Sequence, residues 1–258
     1  MSATDWALVT GASSGLGRAF AELLAEKGIN LVLVARSGAL MEGLADELRQ
    51  RYRIEAIVEP MDLAEPGSAK ALEERLLSLG ITVDILINNA AFGLSSPFVV
   101  QDLDRVRQML QLDILTLTEL THIFARQMVA RGRGNILLVA SLAAYQPTPI
   151  LAAYGAAKAY VLSLGESLNV ECAPNVGVTV LSPGLMDTGF NAAAGYKANA
   201  SMAITMLPTQ KVARIGLKAM WEGKSSVVAG RLNWLMAFSS RFSSRHFQAR
   251  AVFRLSTS

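Results

Sequence analysis

The chain has 258 residues, 52% hydrophobic and 17% charged, which supplies a sizeable core and excludes global disorder. Its net charge is +3, yet residues 231–258 hold five arginines and no acid, so the remainder nets −2 and offers nucleic acid little to bind. A single cysteine and two histidines exclude an internal disulfide and leave a structural zinc site almost without ligands.

In chain order, short apolar runs alternate with amphipathic stretches. The runs are Trp6–Thr10, Asn30–Ala35, Ile54–Asp62, Val83–Ala90, Asn135–Ser141, Gly177–Gly184 and Ser225–Gly230. They are β-branched or leucine-rich and nearly continuous, as strands buried on both faces of a parallel sheet must be. Between them, Gly15–Lys27, Ala39–Arg51 and Ser68–Leu79 place apolar residues at helical spacing. The pattern predicts one α/β domain over residues 1–230, a doubly wound, Rossmann-type parallel sheet of seven strands with helices on both faces. A basic, aromatic-rich C-terminal tail, 231–258, follows. Residues 190–207 break the rhythm with an Ala/Met/Asn-rich segment, and loops of that length are commonly functional. No apolar run reaches the roughly 20 residues that span a bilayer, and the start of the chain lacks the basic-then-apolar order of a signal peptide. A cytoplasmic protein is expected.

Two chemistries compete for Leu8–Phe20, "LVTGASSGLGRAF". Gly11-Ala12-Ser13-Ser14-Gly15 matches the G-x-S-x-G of a hydrolase elbow. That elbow needs an earlier strand for its oxyanion loop and a later acid and histidine. Ser13 has one strand before it, and the later histidines, His122 and His246, fall in a predicted helix and in the tail. A Gly-Lys-Ser/Thr phosphate loop is absent too. The same glycines, following a strand and opening a helix, suit a nucleotide-binding turn, where backbone N–H groups and the helix dipole meet a pyrophosphate.

The variant Thr10-Gly11-Ala12-Ser13-Ser14-Gly15-Leu16-Gly17 resembles the cofactor turn of the short-chain dehydrogenase/reductase family. Asn88-Asn89-Ala90-Ala91, Ser141, Tyr154-x-x-x-Lys158 and Pro183-Gly184 with Thr188 resemble the same family at its usual spacings, over about residues 5–230. The likeness is greatest to NADP-dependent long-chain 3-oxoacyl and steroid carbonyl reductases. It implies Tyr154 as acid/base, Lys158 on the ribose and the tyrosine, and Ser141 orienting the substrate. Cofactor contacts are implied at Gly11, Ser13, Ser14, Gly15, Leu16, Gly17, Asp62, Asn89, Ala90, Tyr154, Lys158, Pro183, Gly184 and Thr188. Asp113 stands where the family carries an asparagine that holds a relay water, and is expected to take part in catalysis.

Physical chemistry supports the pair independently. Tyr154 and Lys158 are four apart and share a helix face, so the ammonium is expected to pull the phenol below its usual value near 10. After the second strand, Ala35 stands where an acid would select NAD, and Arg36 with Ser37 suits the 2′-phosphate of NADP(H). The sequence thus predicts an oxidoreductase moving hydride between NADP(H) and a small-molecule carbonyl or secondary alcohol. Phe190, Tyr196, Met202, Ile204, Met206 and Leu207 suggest an apolar lid over a lipophilic substrate. The alternative is a cofactor-binding regulator or scaffold with little turnover. A homo-oligomer is expected, without nucleic-acid partners. The tail packs on the body or a partner subunit, or makes a peripheral contact at the inner membrane surface; on one helical wheel Leu235, Phe238, Phe242 and Phe253 form a stripe.

Overall fold

The computed structural model describes residues 5–186, 189, 194–195 and 205–257. Seven strands, β1 (Trp6–Thr10), β2 (Asn30–Ala35), β3 (Ala56–Pro60), β4 (Val83–Asn88), β5 (Gly134–Val139), β6 (Val176–Ser182) and β7 (Ser226–Val228), form one sheet. All pairings are parallel, in the order β3-β2-β1-β4-β5-β6-β7. The helices are α1 (Gly15–Ala25), α2 (Gly38–Tyr52), α3 (Ser68–Ser78), α4 (Leu103–Leu110), α5 (Leu117–Arg131), α6 (Ala152–Glu171), α7 (Thr209–Trp221), α8 (Arg231–Ser239) and α9 (Arg245–Thr257).

The continuous apolar runs are explained by the two cores they feed. Ala7, Val9, Leu31, Leu33, Ile85 and Ile87 face α1, α2 and α7, with Phe20 fully buried. Their neighbours Leu8, Val32, Val34 and Leu86 point the other way, toward α3, α5 and α6, around Phe124. Strand alternation therefore places an apolar side chain in each layer at every step. A fully buried phenylalanine contributes about 2–3 kcal/mol in each layer.

Chain order reverses between β1 and β4, and such a switch point opens a crevice at the carboxyl ends of the strands. Two features of the helical layer aim groups into it. Gly165 lets α6 lie close on the sheet, because a Cβ there would stand 2.3 Å from Val180 Cγ2. Between α4 and α5, Gln111–Thr116 widens into a π-helical turn; such turns recur at functional sites. Asp113 thus lies in a π segment.

Residues 231–257 are not the single helix that the wheel assumed. The chain breaks at Ser240–Phe242 and runs extended at Ser243 before α9, whose first turn Ser244 caps by accepting from Phe247 N–H at 3.3 Å. Among the described residues no helix is long and apolar enough to cross a membrane.

Candidate active site

The glycine turn is closed by threonine and asparagine side chains from the two strands at the switch point. Thr10 Oγ1 accepts the backbone N–H groups of Asn89 and Ala90, both at 2.9 Å, and lies 3.4 Å from Ile87 O as donor. Asn89 Nδ2 donates to Thr10 O at 2.8 Å and, more weakly, to Gly11 O at 3.5 Å. The Gly11 and Ala12 N–H groups both reach Val34 O of β2. Asn89 therefore holds the turn from behind, and Ala90 follows it along the crevice.

Gly11 and Gly15 take φ +67° and +55°, which only glycine adopts readily. Gly17 answers to space instead: a Cβ there would lie 2.1 Å from Gly11 O. The turn delivers α1 with Ser14 at its N-cap, exposed, its side chain making no cap bond, and no acid in the first turn. Unpaired N–H groups at a helix start attract an anion. Ser13 and Gly15 are half-exposed beside it and Leu16 is buried beneath. This cradle fits a pyrophosphate.

Gly17→Ala is expected to lower NADPH affinity at least tenfold and stability by about 1–3 kcal/mol, read by fluorescence titration and thermal melting. Gly43→Ala, in α2 with nothing within 4 Å of the added Cβ, is expected to leave affinity unchanged.

At the end of β2, Arg36 and Ser37 are exposed, and Arg36 has no ion-pair partner among the described residues. A free guanidinium fork suits a phosphate. Asp62 follows β3, exposed, and accepts from Ala64 N–H at 2.9 Å, so it shapes its own loop. The strand is shorter at both ends than the run Ile54–Asp62.

Ser141 follows β5 and caps the short turn Leu142–Tyr145, accepting from Ala143 N–H at 3.1 Å. The Ser141 hydroxyl pulls the Tyr154 phenol down, as a hydrogen-bond donor to it does. Tyr154 and Lys158 lie on the buried stripe of α6 with Ala157 and Val161. Lys158 Nζ is 5.6 Å from the Tyr154 ring centre and donates to Val139 O at 3.3 Å. Asp113 Oδ2 is 3.2 Å from the same ammonium, and its Oδ1 accepts Phe92 N–H at 3.3 Å. Asp113, Lys158 and Tyr154 are 0, 2 and 9% exposed. The structure therefore brings Ser141, Tyr154, Lys158 and Asp113 together at the carboxyl ends of β4 and β5.

One expectation is reversed. Burial holds the Tyr154 phenol above its ordinary value; Lys158 and Ser141 pull it down, and the Asp113 carboxylate pushes it back up. Lys158 alone suggested a net fall, but burial outweighs its pull, and its charge also faces Asp113. Burial likewise raises the Asp113 carboxyl above the usual carboxylate range, against the pull of Lys158 and the Phe92 N–H.

Pro183 and Gly184 follow β6, and Gly184 has no room for a side chain because a Cβ would stand 2.4 Å from Asn233 Nδ2. Thr188 and the lid residues Phe190, Tyr196, Met202 and Ile204 lie outside the described residues. The segment they belong to is pinned at its ends, where Met186 bridges Leu207 and Leu207 N–H donates to Leu185 O at 3.3 Å. Met206 and Leu207 are half-buried there.

Sequence reasoning passed over three residues of this centre. Thr10 ties the switch-point strands together. Gly155 lets the 146–151 loop close on α6, since a Cβ would stand 1.9 Å from Thr148 Oγ1. Ile150 takes φ +73°, a strained conformation for a β-branched residue, with its carbonyl accepting Ser96 N–H. Gly155 was legible as the residue after Tyr154; Ile150 carried no local signal.

The short chain dehydrogenase family model matches residues 5–199. The chain belongs to this family. This short-chain dehydrogenase is 38% identical over 178 residues to a very-long-chain 3-oxoacyl-CoA reductase of Podospora anserina, covering 68% of the chain and 52% of that protein. It spans about half the length of the curated relatives it matches. Among solved structures it resembles a short-chain dehydrogenase from Sphingobium yanoikuyae in complex with NADPH, with TM-score 0.82 and 29% identity over 92% of this chain and 94% of that one. It also resembles the bulky-bulky ketone specific alcohol dehydrogenase of Comamonas testosteroni, with TM-score 0.79 and 27% identity over 93% of each chain.

Proposed function

We propose that this short-chain dehydrogenase is an NADP(H)-dependent carbonyl reductase acting on a lipophilic ketone, aldehyde or 3-oxoacyl chain. The observation that carries the reading is the Ser141–Tyr154–Lys158 constellation at the switch-point crevice, with its tyrosine and lysine buried, beside a glycine turn that opens the N-terminus of α1. The names of its relatives, a 3-oxoacyl-CoA reductase and a bulky-ketone dehydrogenase, support the substrate class. The NADPH complex of a structural neighbour supports the cofactor.

Bound NADPH would supply the hydride; everything else falls to side chains. Gly11, Ser13, Ser14, Gly15 and Gly17 would hold the pyrophosphate, Arg36 and Ser37 the 2′-phosphate, Asp62 the adenine side. Lys158, Asn89, Ala90, Pro183, Gly184 and Thr188 would hold the nicotinamide half. The Ser141 hydroxyl, already supported by Ala143 N–H, hydrogen-bonds the substrate oxygen and orients it. Tyr154 donates its phenolic proton to that oxygen as charge develops there. The ammonium of Lys158 and the Ser141 hydroxyl then stabilise the phenolate left behind. A phenol held protonated by burial suits the acid role, hence reduction.

Arg36→Ala is expected to weaken NADPH binding about ten- to a hundredfold, the value of a charge-assisted hydrogen bond, with NADH binding unchanged. Isothermal titration with both cofactors checks this; an equal loss for each would remove Arg36 from cofactor selection. The function itself is tested by following NADPH consumption with a panel of lipophilic ketones, aldehydes and 3-oxoacyl thioesters, using Tyr154→Phe as control.

The Asp113–Lys158 ion pair favours a second reading, a cofactor-binding regulator in which the lysine is tied down. Tight NADPH binding without turnover across the panel supports that one. A homo-oligomer belongs to the main reading, supported by exposed Phe98, Val99, Val100 and Leu103. So does a cytoplasmic location with a peripheral membrane contact through residues 231–258.

A further inference from the structure

Helix α8 buries only Asn233 and Ala237, one turn apart. Asn233 Nδ2 donates to Ala229 O at 2.8 Å and to Thr205 O at 3.3 Å, and the side chain fills the space over Gly184. With those two residues inward, the helix turns its large apolar side chains to water. Trp234 and Phe238 stack with ring centres 5.2 Å apart and 8° between planes. Phe242 meets Phe238 edge-on at 5.3 Å and is 77% exposed. The aromatic row is thus preassembled on the surface, and little side-chain entropy remains to be lost on docking.

Helix α9 extends the same composition. Gln248 anchors its first turns, donating to Ser243 O at 2.9 Å and to Ser243 Oγ at 3.0 Å. Phe247 is 65% exposed and Phe253 49%. At 100° per residue, Phe247, Arg250, Phe253 and Arg254 fall within about 120° of arc, alternating ring and guanidinium. Arg241 lies over the Phe238 ring, 5.8 Å from its centre.

The charge selects the occupant. Residues 231–258 carry five arginines and no acid. A second copy meeting this face about a two-fold axis would set +5 against +5. A polyphosphate chain satisfies the arginines and leaves the phenylalanines in water. Anionic lipid meets both, with phosphates for the guanidinium groups and an acyl boundary for the rings.

We propose that the exposed aromatic and arginine side chains of α8, α9 and the turn between them dock on an anionic bilayer, with Phe242 and Phe247 entering at headgroup level. On its inward side Asn233 of α8 donates to Thr205 O and covers Gly184 of the crevice, so in the docked state a carbonyl compound dissolved in lipid would meet a site whose wall α8 supports. The substrate link rests on the reductase reading; the docking does not.

The test is co-sedimentation of the full chain with phosphatidylcholine vesicles, with and without phosphatidylglycerol. Binding is expected only with the anionic lipid, weakening as salt is added. Phe242→Glu combined with Phe247→Glu, both exposed, is expected to cut it at least tenfold with an unchanged melting temperature. Equal recovery in the supernatant with both vesicles overturns the proposal, as does undiminished binding by the double variant. So does association of the chain with itself or with RNA through the same residues in place of vesicles. Turnover of a water-soluble ketone, measured without lipid, reports on the reductase reading separately: binding without turnover sinks only that reading, turnover without binding only the docking.

Discussion

Tyr154→Phe is expected to lower kcat/KM for ketone reduction by about 10²–10⁴, the usual value of a positioned general acid, while NADPH affinity changes less than about threefold. The structure makes this substitution unusually clean. When the hydroxyl is lost, Ser141 Oγ keeps Ala143 N–H at 3.1 Å. The ring, with Lys158 Nζ 5.6 Å from its centre, stays in place. Stability should therefore move by less than about 1 kcal/mol, a typical net hydrogen bond. Stopped-flow hydride transfer with thermal melting separates the two effects. A variant that folds, binds NADPH and still turns over at a tenth or more of the wild-type rate would falsify the assignment of Tyr154 as the acid.

How the site could be seen before the fold, and where it could not, follows from the range of each interaction. Strands buried on both faces must be apolar throughout, so runs such as Asn30–Ala35 announce themselves in composition. Tyr154 and Lys158 are legible as a pair because four residues of helix bring them together. Gly17 is legible only as a glycine; its reason, the Gly11 carbonyl 2.1 Å from any Cβ, is tertiary. Asn89 reads as a cofactor residue, yet its amide is spent largely on Thr10 O, a partner 79 residues away. The π turn at Gln111–Thr116 is invisible, since "QMLQLDILTLTEL" continues an ordinary helical period through it. The break between α8 and α9 did have a signal, the serines flanking Arg241 and Phe242, which satisfy backbone groups locally and compete with helix. It was outweighed by the regular spacing of the aromatic residues.

The direction of the Tyr154 shift was beyond the sequence for the same reason, and Asp113 is where that matters most. Asp113→Ala is expected to destabilise the protein by about 3–5 kcal/mol, because it leaves the Lys158 ammonium buried with only Val139 O for support. Asp113→Asn keeps an acceptor for Phe92 N–H and a polar atom toward Lys158, so its cost is smaller, about 1–2 kcal/mol. The catalytic effect of the asparagine is larger than its structural one. In the wild type the carboxylate, 3.2 Å from Nζ, opposes the lysine's pull on the phenol. Removing it lets Lys158 favour the phenolate, so the Tyr154 phenol becomes more acidic. Reduction needs the protonated phenol, and its alkaline limb in kcat/KM moves to lower pH. Alcohol oxidation needs the phenolate, and at neutral pH it rises by about three- to tenfold. Rate profiles in both directions, with NADP affinity measured beside them, read this out. Superimposable profiles for wild type and Asp113→Asn would mean that the carboxylate serves the fold alone. A displaced limb would mean that the acid facing Lys158 adds to burial in keeping Tyr154 a proton donor.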